Sequence, residues 1–161
     1  MNHSPEDPDN TLVFRRSDFD DGLRGEFPED LRSWQPAVRL IRLVQDEVSV
    51  LAQNGALSAD ARRITAILLW CLATGRYASW DIEALCAEEP LTRHLADGLN
   101  PSYQDIHRFR REHEASLTLA LARLLNAARP AGAAVEMDTL TAEAARRYER
   151  ARYADTRPAD G

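Results

Sequence analysis

Lysine is absent from the sequence: all 20 basic residues are arginine, against 26 aspartates and glutamates. Glycine and cysteine are scarce, at seven and two residues. The chain has no glycine-rich phosphate loop, no G-x-S-x-G elbow and no H-E-x-x-H pair. Cys71 and Cys86 form no C-x-x-C pair, and the histidines complete no zinc spacing with them. We therefore expect two buried free thiols, and no catalytic residue, metal ion or cofactor.

Long apolar runs are also missing. The longest apolar segment covers residues 64 to 73, well short of the roughly 20 residues that a membrane-spanning helix needs. The first ten residues are acidic and lack the apolar region of a secretory signal. These features predict a soluble protein of the cytoplasm without a membrane partner.

Negative charge is concentrated at the N-terminus. The formal net charge is −6, and residues 1 to 31 hold nine acidic side chains against three arginines. The rest of the chain is balanced, with 17 residues of each sign. A uniformly basic nucleic-acid binder is thereby excluded, and only a local surface can be basic. In a chain without lysine, the number of arginines alone does not indicate nucleic-acid binding.

The sequence divides into three parts. Residues 1 to 33 are acidic and rich in proline and glycine, which predicts a largely irregular arm. Residues 34 to 129 show helical periodicity and predict the folded domain. Residues 130 to 161 predict a linker and a marginal C-terminal helix, with little besides Leu140, Tyr148 and alanines to bury. No strand-like period of two persists.

The fold class expected is all-α: a compact bundle of about five helices with a helix-turn-helix-like arrangement and a long final core helix. Ser58 is a good N-cap for the second helix, which is apolar around nearly its whole circumference and so is expected to be central. The final helix starts with Ser102 and Asp105 in a capping-box pattern and continues for roughly 26 residues, or about 39 Å. The predicted core helices cover residues 35–53, 58–74, 79–88, 90–96 and 102–128.

The start of that final helix carries the candidate site. Gln104, Arg108 and Arg111 share one face by their spacing. Arginine can bond guanine and glutamine can bond adenine in the major groove, while a helix N-terminus favours phosphate. The preceding short helices would brace the DNA backbone. The candidate DNA-binding residues are Tyr103, Gln104, His107, Arg108, Arg110, Arg111, Arg76 and Arg93.

A simpler interpretation applies to the same residues. From residue 102 to residue 129 there are five arginines against three acids, so these arginines also fit an ordinary solvated face paired with Asp105, Glu112 or Glu114. His107 and His113 are six positions apart and lie on different faces of a helix, which argues against a shared metal site.

A family resemblance favours the DNA interpretation. It is carried by Gly75, Ser79, Ile82, Glu83 and Leu85, then Leu91, Arg93, Leu95 and Gly98, then Pro101, Ile106 and the run Arg108, Phe109, Arg110 and Arg111. This pattern resembles the helical N-terminal domain of DDE-type insertion-sequence transposases of the InsH-like kind, over about residues 36 to 128. The resemblance implies a mobile-element protein for DNA recombination, whose N-terminal domain holds the element's ends ahead of a ribonuclease H-like catalytic core.

Without that catalytic core, the expected function is binding of duplex DNA by a non-enzyme, for transposition or regulation. The chain would be a remnant of an element, a first reading frame whose catalytic subunit is encoded separately, or a co-opted regulator. A second copy is a further expected partner. The alternative is a protein-interaction or dimerisation module. In it, the final core helix and the C-terminal helix would dock a partner through an interface rich in Leu117, Leu121, Leu124 and Leu125. A truncated product without function is the third interpretation.

Overall fold

The computed structural model describes residues 35–55, 57–129 and 135–157. Regular structure in these ranges is entirely α-helical, which confirms the predicted class, but it comprises seven helices instead of about five. They are α1 (Gln35–Asn54), α2 (Ala59–Ala73), α3 (Ser79–Glu88), α4 (Pro90–Ala96), α5 (Tyr103–Glu112), α6 (Glu114–Ala128) and α7 (Met137–Asp155). The predicted acidic arm, residues 1 to 33, lies outside the described residues.

Helix α2 is the centre of the bundle, as predicted. Ser58 begins it by accepting a hydrogen bond from the Ala61 N–H at 3.1 Å. Every residue from Thr65 to Ala73 is buried, and α2 contacts each of the other six described helices. Gly75 follows with a φ of 84°, a conformation that favours glycine and ends the helix.

Two short helices follow α2. Helix α3 begins at Ser79, and α4 begins with Pro90 in its first turn. Asp97 and Gly98, both with positive φ, end α4. Helix α3 packs against both α4 and α5, so these three short helices form one packed group.

The two cysteines lie in the core, as predicted. Cys71 and Cys86 are free and buried. Burial raises the pKa of the Cys71 thiol to about 12 and that of the Cys86 thiol to about 11. Both thiols are therefore protonated at neutral pH and behave as small core side chains.

The prediction of one unbroken final helix is wrong. The helix is interrupted at His113, whose φ of −119° and ψ of 24° separate α5 from α6. Beside the break, the Tyr148 hydroxyl donates to the Arg110 carbonyl at 2.8 Å, taking an acceptor that a continuous helix would use for residue 114. A side chain inserted into the helical hydrogen-bond ladder is a common cause of a kink. The break lets α5 pack on α3 while α6 packs on α1 and α7.

The C-terminal helix α7 is packed more deeply than the sequence predicts. It has 19 residues and runs antiparallel to α6, since Arg152 near its end bonds Glu114 at the start of α6 at 2.5 Å. Besides Leu140, Tyr148 and alanines, it buries the ion pair of Arg147 and Glu143. Helix α7 is thus an integral element of the bundle.

Candidate nucleic-acid interface

The start of α5 is fixed by a complete capping box. Ser102 Oγ accepts from the Asp105 N–H at 3.1 Å, and an Asp105 carboxylate oxygen accepts from the Ser102 N–H at 3.2 Å. The backbone hydrogen bond from Ser102 lowers the pKa of Asp105, followed by the contribution of the Ser102 side chain and the charge of Arg108. This confirms the predicted helix start and gives the residues that follow it a defined orientation.

Four side chains along α5 extend into solvent. Tyr103, Gln104, Arg108 and Arg111 are all exposed, and the Arg108 side chain retains 66% of its exposure while donating to Asp105 at 2.6 Å. The face predicted from spacing is therefore an exposed face of α5. Arg93 on α4 is exposed as well.

Arg110 does not belong to this face, and its prediction as an exposed DNA contact is corrected. Only 2% of the residue is exposed. Its guanidinium donates to the Tyr77 carbonyl at 2.6 Å and to Ser79 Oγ at 3.1 Å, and it forms an ion pair with Asp155. Because α5 turns this position towards α3 and α7, Arg110 is a core residue.

Arg76 is also buried, and its prediction as a DNA contact is corrected as well. It is 4% exposed, and its guanidinium donates to both carboxylate oxygens of Glu89, at 2.5 and 2.9 Å. Glu89 also accepts from Thr92 at 2.6 Å and from the Trp70 indole at 3.3 Å. Burial by itself would raise the pKa of Glu89, but the hydrogen bonds and charge of Arg76 and the bonds from Thr92 and Trp70 lower it overall. This network joins α2 to α4 and leaves Arg76 no path to a DNA phosphate.

His107 is half-exposed and connects the exposed face to a buried cluster. Its Nδ1 lies 2.8 Å from a carboxylate oxygen of Asp155, whose side chain is 4% exposed. The same carboxylate accepts from the Ser79 N–H and from Ser79 Oγ, both at 2.7 Å, and from Arg110. Burial favours a higher pKa for Asp155, but the bonds from Ser79 and His107 and the charge of Arg110 lower it overall. Sequence reasoning missed Asp155, because 76 residues separate it from Ser79.

The cluster does not have the arrangement of a serine nucleophile. Ser79 Oγ donates to Asp155 instead of to the histidine, and Ser79 is buried. In the described ranges, no group of three or more histidine, cysteine, aspartate or glutamate side chains is arranged to hold a metal ion. Within the same ranges, no helix is long and apolar enough to cross a membrane.

Comparisons of the chain with protein-family models, with curated proteins and with solved structures give no significant match. The resemblance to transposase N-terminal domains and the contact residues on α5 therefore stay predictions.

Proposed function

We propose that this chain contains a DNA-binding domain of the transposase N-terminal kind, which binds duplex DNA through an exposed face of α5. The observation that carries the proposal is the exposure of Gln104, Arg108 and Arg111 together on one face of a helix whose start is fixed by a capping box. A glutamine and two arginines on such a face are the side chains that bond base edges and phosphates.

The three helices α3, α4 and α5 form the proposed helix-turn-helix-like unit, with α5 as the recognition helix. Helix α3 packs on both of the others, which is what a recognition helix needs for a fixed approach to the groove. Because Arg76 and Arg110 are buried, they are removed from the set of proposed DNA contacts. The remaining contacts are Tyr103, Gln104, His107, Arg108, Arg111 and Arg93.

The charge of this face sets the expected strength of binding. Arg108 is paired with the partly exposed Asp105, so DNA phosphate would compete with that carboxylate. Arg110 is neutralised by Asp155 and adds nothing to the surface. The face therefore has few free cationic groups, and we expect modest affinity that falls as salt is raised.

The alternative of a protein-interaction module has less support. Leu117, Leu121, Leu124 and Leu125, the face predicted to pack on a partner, are at most 1% exposed and belong to the chain's own core. Their burial removes the leucine-rich part of that interface and leaves the exposed face of the C-terminal helix α7 for it. A separately encoded catalytic subunit or a second copy would have to bind elsewhere.

Fluorescence anisotropy with labelled duplexes tests the proposal. The full chain is titrated against duplex carrying the repeats that flank its own gene and against scrambled duplex, at low and physiological salt. We expect tighter binding to the flanking repeats, weakened by salt and by the double change Arg108→Ala and Arg111→Ala. The matched control replaces Arg42 and Arg62, two exposed arginines on α1 and α2, and should leave binding unchanged. Absence of binding to both duplexes at low salt would refute the proposal.

A further inference from the structure

Helix α3 begins without a cap of its own. The residue at its N-cap position, Ala78, makes no side-chain cap hydrogen bond. The first N–H groups of a helix have no partner within the helix and usually take one from a neighbouring Ser, Thr, Asp or Asn side chain. Here Asp155, at the end of α7, accepts from the Ser79 N–H and from Ser79 Oγ, both at 2.7 Å. The negative carboxylate also suits the positive end of the α3 dipole.

The same carboxylate holds α5. It accepts from His107 Nδ1 at 2.8 Å and from the Arg110 guanidinium, and these two residues lie one turn apart on α5. A single side chain thus joins the N-terminus of α3 to the middle of α5, the two helices whose relative angle a helix-turn-helix-like unit must fix.

We infer that Asp155 is the positioning residue of the α5 DNA interface, and that the end of α7 is a functional part of the DNA-binding unit without touching DNA. This inference rests on the proposed function. Asp155 would act in two ways: it would set the angle of α5 against α3, and it would orient the half-exposed His107 ring. With Nδ1 bonded to Asp155, Nε2 is the ring nitrogen left for a DNA group.

Two isosteric variants of α7 separate this role from simple stabilisation. Asp155→Asn keeps the size of the side chain and removes its charge. Glu143→Gln makes the same kind of change at another buried carboxylate of α7, whose partners Arg146 and Arg147 also lie on α7. Both variants should lose stability, so DNA affinity is measured at a temperature where circular dichroism shows both to be fully folded.

We expect Asp155→Asn to weaken DNA binding about tenfold, the equivalent of one charge-assisted hydrogen bond, and Glu143→Gln to leave it unchanged. Equal affinities of the two variants, whether both weakened or both intact, would overturn the inference. If Asp155→Asn does not fold, Ser79→Ala replaces it, since it removes one bond to the carboxylate and should weaken binding by a smaller factor.

A second measurement stands independently of DNA. In amide hydrogen exchange of the free protein, Asp155→Asn should accelerate exchange in the first turn of α3 and along α5, and Glu143→Gln should not. If the wild-type chain binds no duplex, the proposed function fails and this exchange pattern alone decides whether Asp155 positions the two helices. Unchanged exchange in α3 and α5 would refute the positioning role even if DNA binding is found.

Discussion

The guanidinium of Arg147 on α7 donates to the backbone carbonyl of Leu72 at the end of α2, at 2.9 Å, and to that of Ala73 at 3.1 Å. The last carbonyls of a helix have no partner within it, and a buried helix end needs a donor from elsewhere. Arg39 does the same at the end of α6, where it donates to two carbonyls at 3.2 and 2.8 Å. Arg39 uses its two terminal nitrogens for one carbonyl each, whereas in Arg147 one terminal nitrogen bonds both carbonyls and Nε bonds Glu143. A planar guanidinium with five N–H donors allows both arrangements, which the single ammonium of lysine does less well.

Removal of Arg147 should therefore be severely destabilising. The side chain is 1% exposed and pairs with Glu143 at 2.9 Å. We expect Arg147→Ala to lower the free energy of unfolding by about 3–5 kcal/mol, the range for breaking a buried ion pair. Urea denaturation followed by circular dichroism measures this loss.

Arg146 provides the control for that prediction. It bonds the same glutamate, but its side chain is 61% exposed, so Arg146→Ala should cost under about 1 kcal/mol. Equal losses for the two variants would show that the contacts of Arg147 with α2 contribute little.

Acid should destabilise the fold through Glu89 and Asp155. The pKa of each is lowered in the folded state from its usual value, 4.5 for Glu89 and 3.8 for Asp155, although burial alone would raise both. A carboxyl with a depressed folded pKa contributes stability above its unfolded pKa and loses it as the pH falls through the folded pKa. The free energy of unfolding should thus decline as the pH drops below about 4.5.

The contribution of Glu89 to this loss of stability in acid can be measured separately. Glu89→Gln should be less stable at neutral pH, because Arg76 loses its charged partner, and its stability should fall less steeply in acid. Glu88→Gln, an exposed neighbour on α3, should follow the wild-type profile. Urea unfolding at several pH values provides the comparison, and a Glu89→Gln profile parallel to the wild type would contradict the prediction.

Tyr148 should stabilise the break between α5 and α6. Its hydroxyl donates to the Arg110 carbonyl, and burial raises the pKa of the phenol above its usual value, so it stays a donor across the physiological range. Tyr148→Phe removes only the donor, and we expect a loss of about 1 kcal/mol in thermal or urea unfolding. Tyr153→Phe, at an exposed position on the same helix, should have no effect. If Tyr148→Phe left the free energy of unfolding unchanged, this explanation of the break would be refuted.

Local signals in the sequence were sufficient for most helix boundaries. Ser58, Ser79, Pro90 and the pair Ser102 and Asp105 each begin a helix where they were expected to. These signals depend on residues within four positions of one another, so the sequence contains them directly. The break at His113 was missed because its cause, Tyr148, lies in a helix that was expected to be marginal.

The candidate site was only partly predictable for the same reason. Spacing identified the exposed face of Gln104, Arg108 and Arg111, but it assigned Arg110 to that face because the partner of this arginine is Asp155, 45 residues later. Arg76 was similarly assigned to the surface because Glu89 was not recognised as its buried partner. In a chain whose only cations are arginines, helical periodicity alone does not distinguish a buried ion pair from a surface charge.

Gln104 and Arg111 should contribute differently to DNA binding. Both are exposed on the same face of α5, but only Arg111 is charged. Loss of a cationic phosphate contact reduces the dependence of log affinity on log salt by about one unit, whereas loss of a neutral base contact leaves it unchanged and relaxes sequence preference. Arg111→Ala should thus flatten the salt dependence of the affinity and weaken binding to flanking and scrambled duplex alike. Gln104→Ala should instead reduce the difference in affinity between the flanking duplex and the scrambled duplex. Anisotropy titrations at four salt concentrations measure both effects, with Arg62→Ala as the control. If Arg111→Ala kept the wild-type salt dependence, the cationic contacts would have to lie on another face, and α5 would lose its proposed role as the recognition helix.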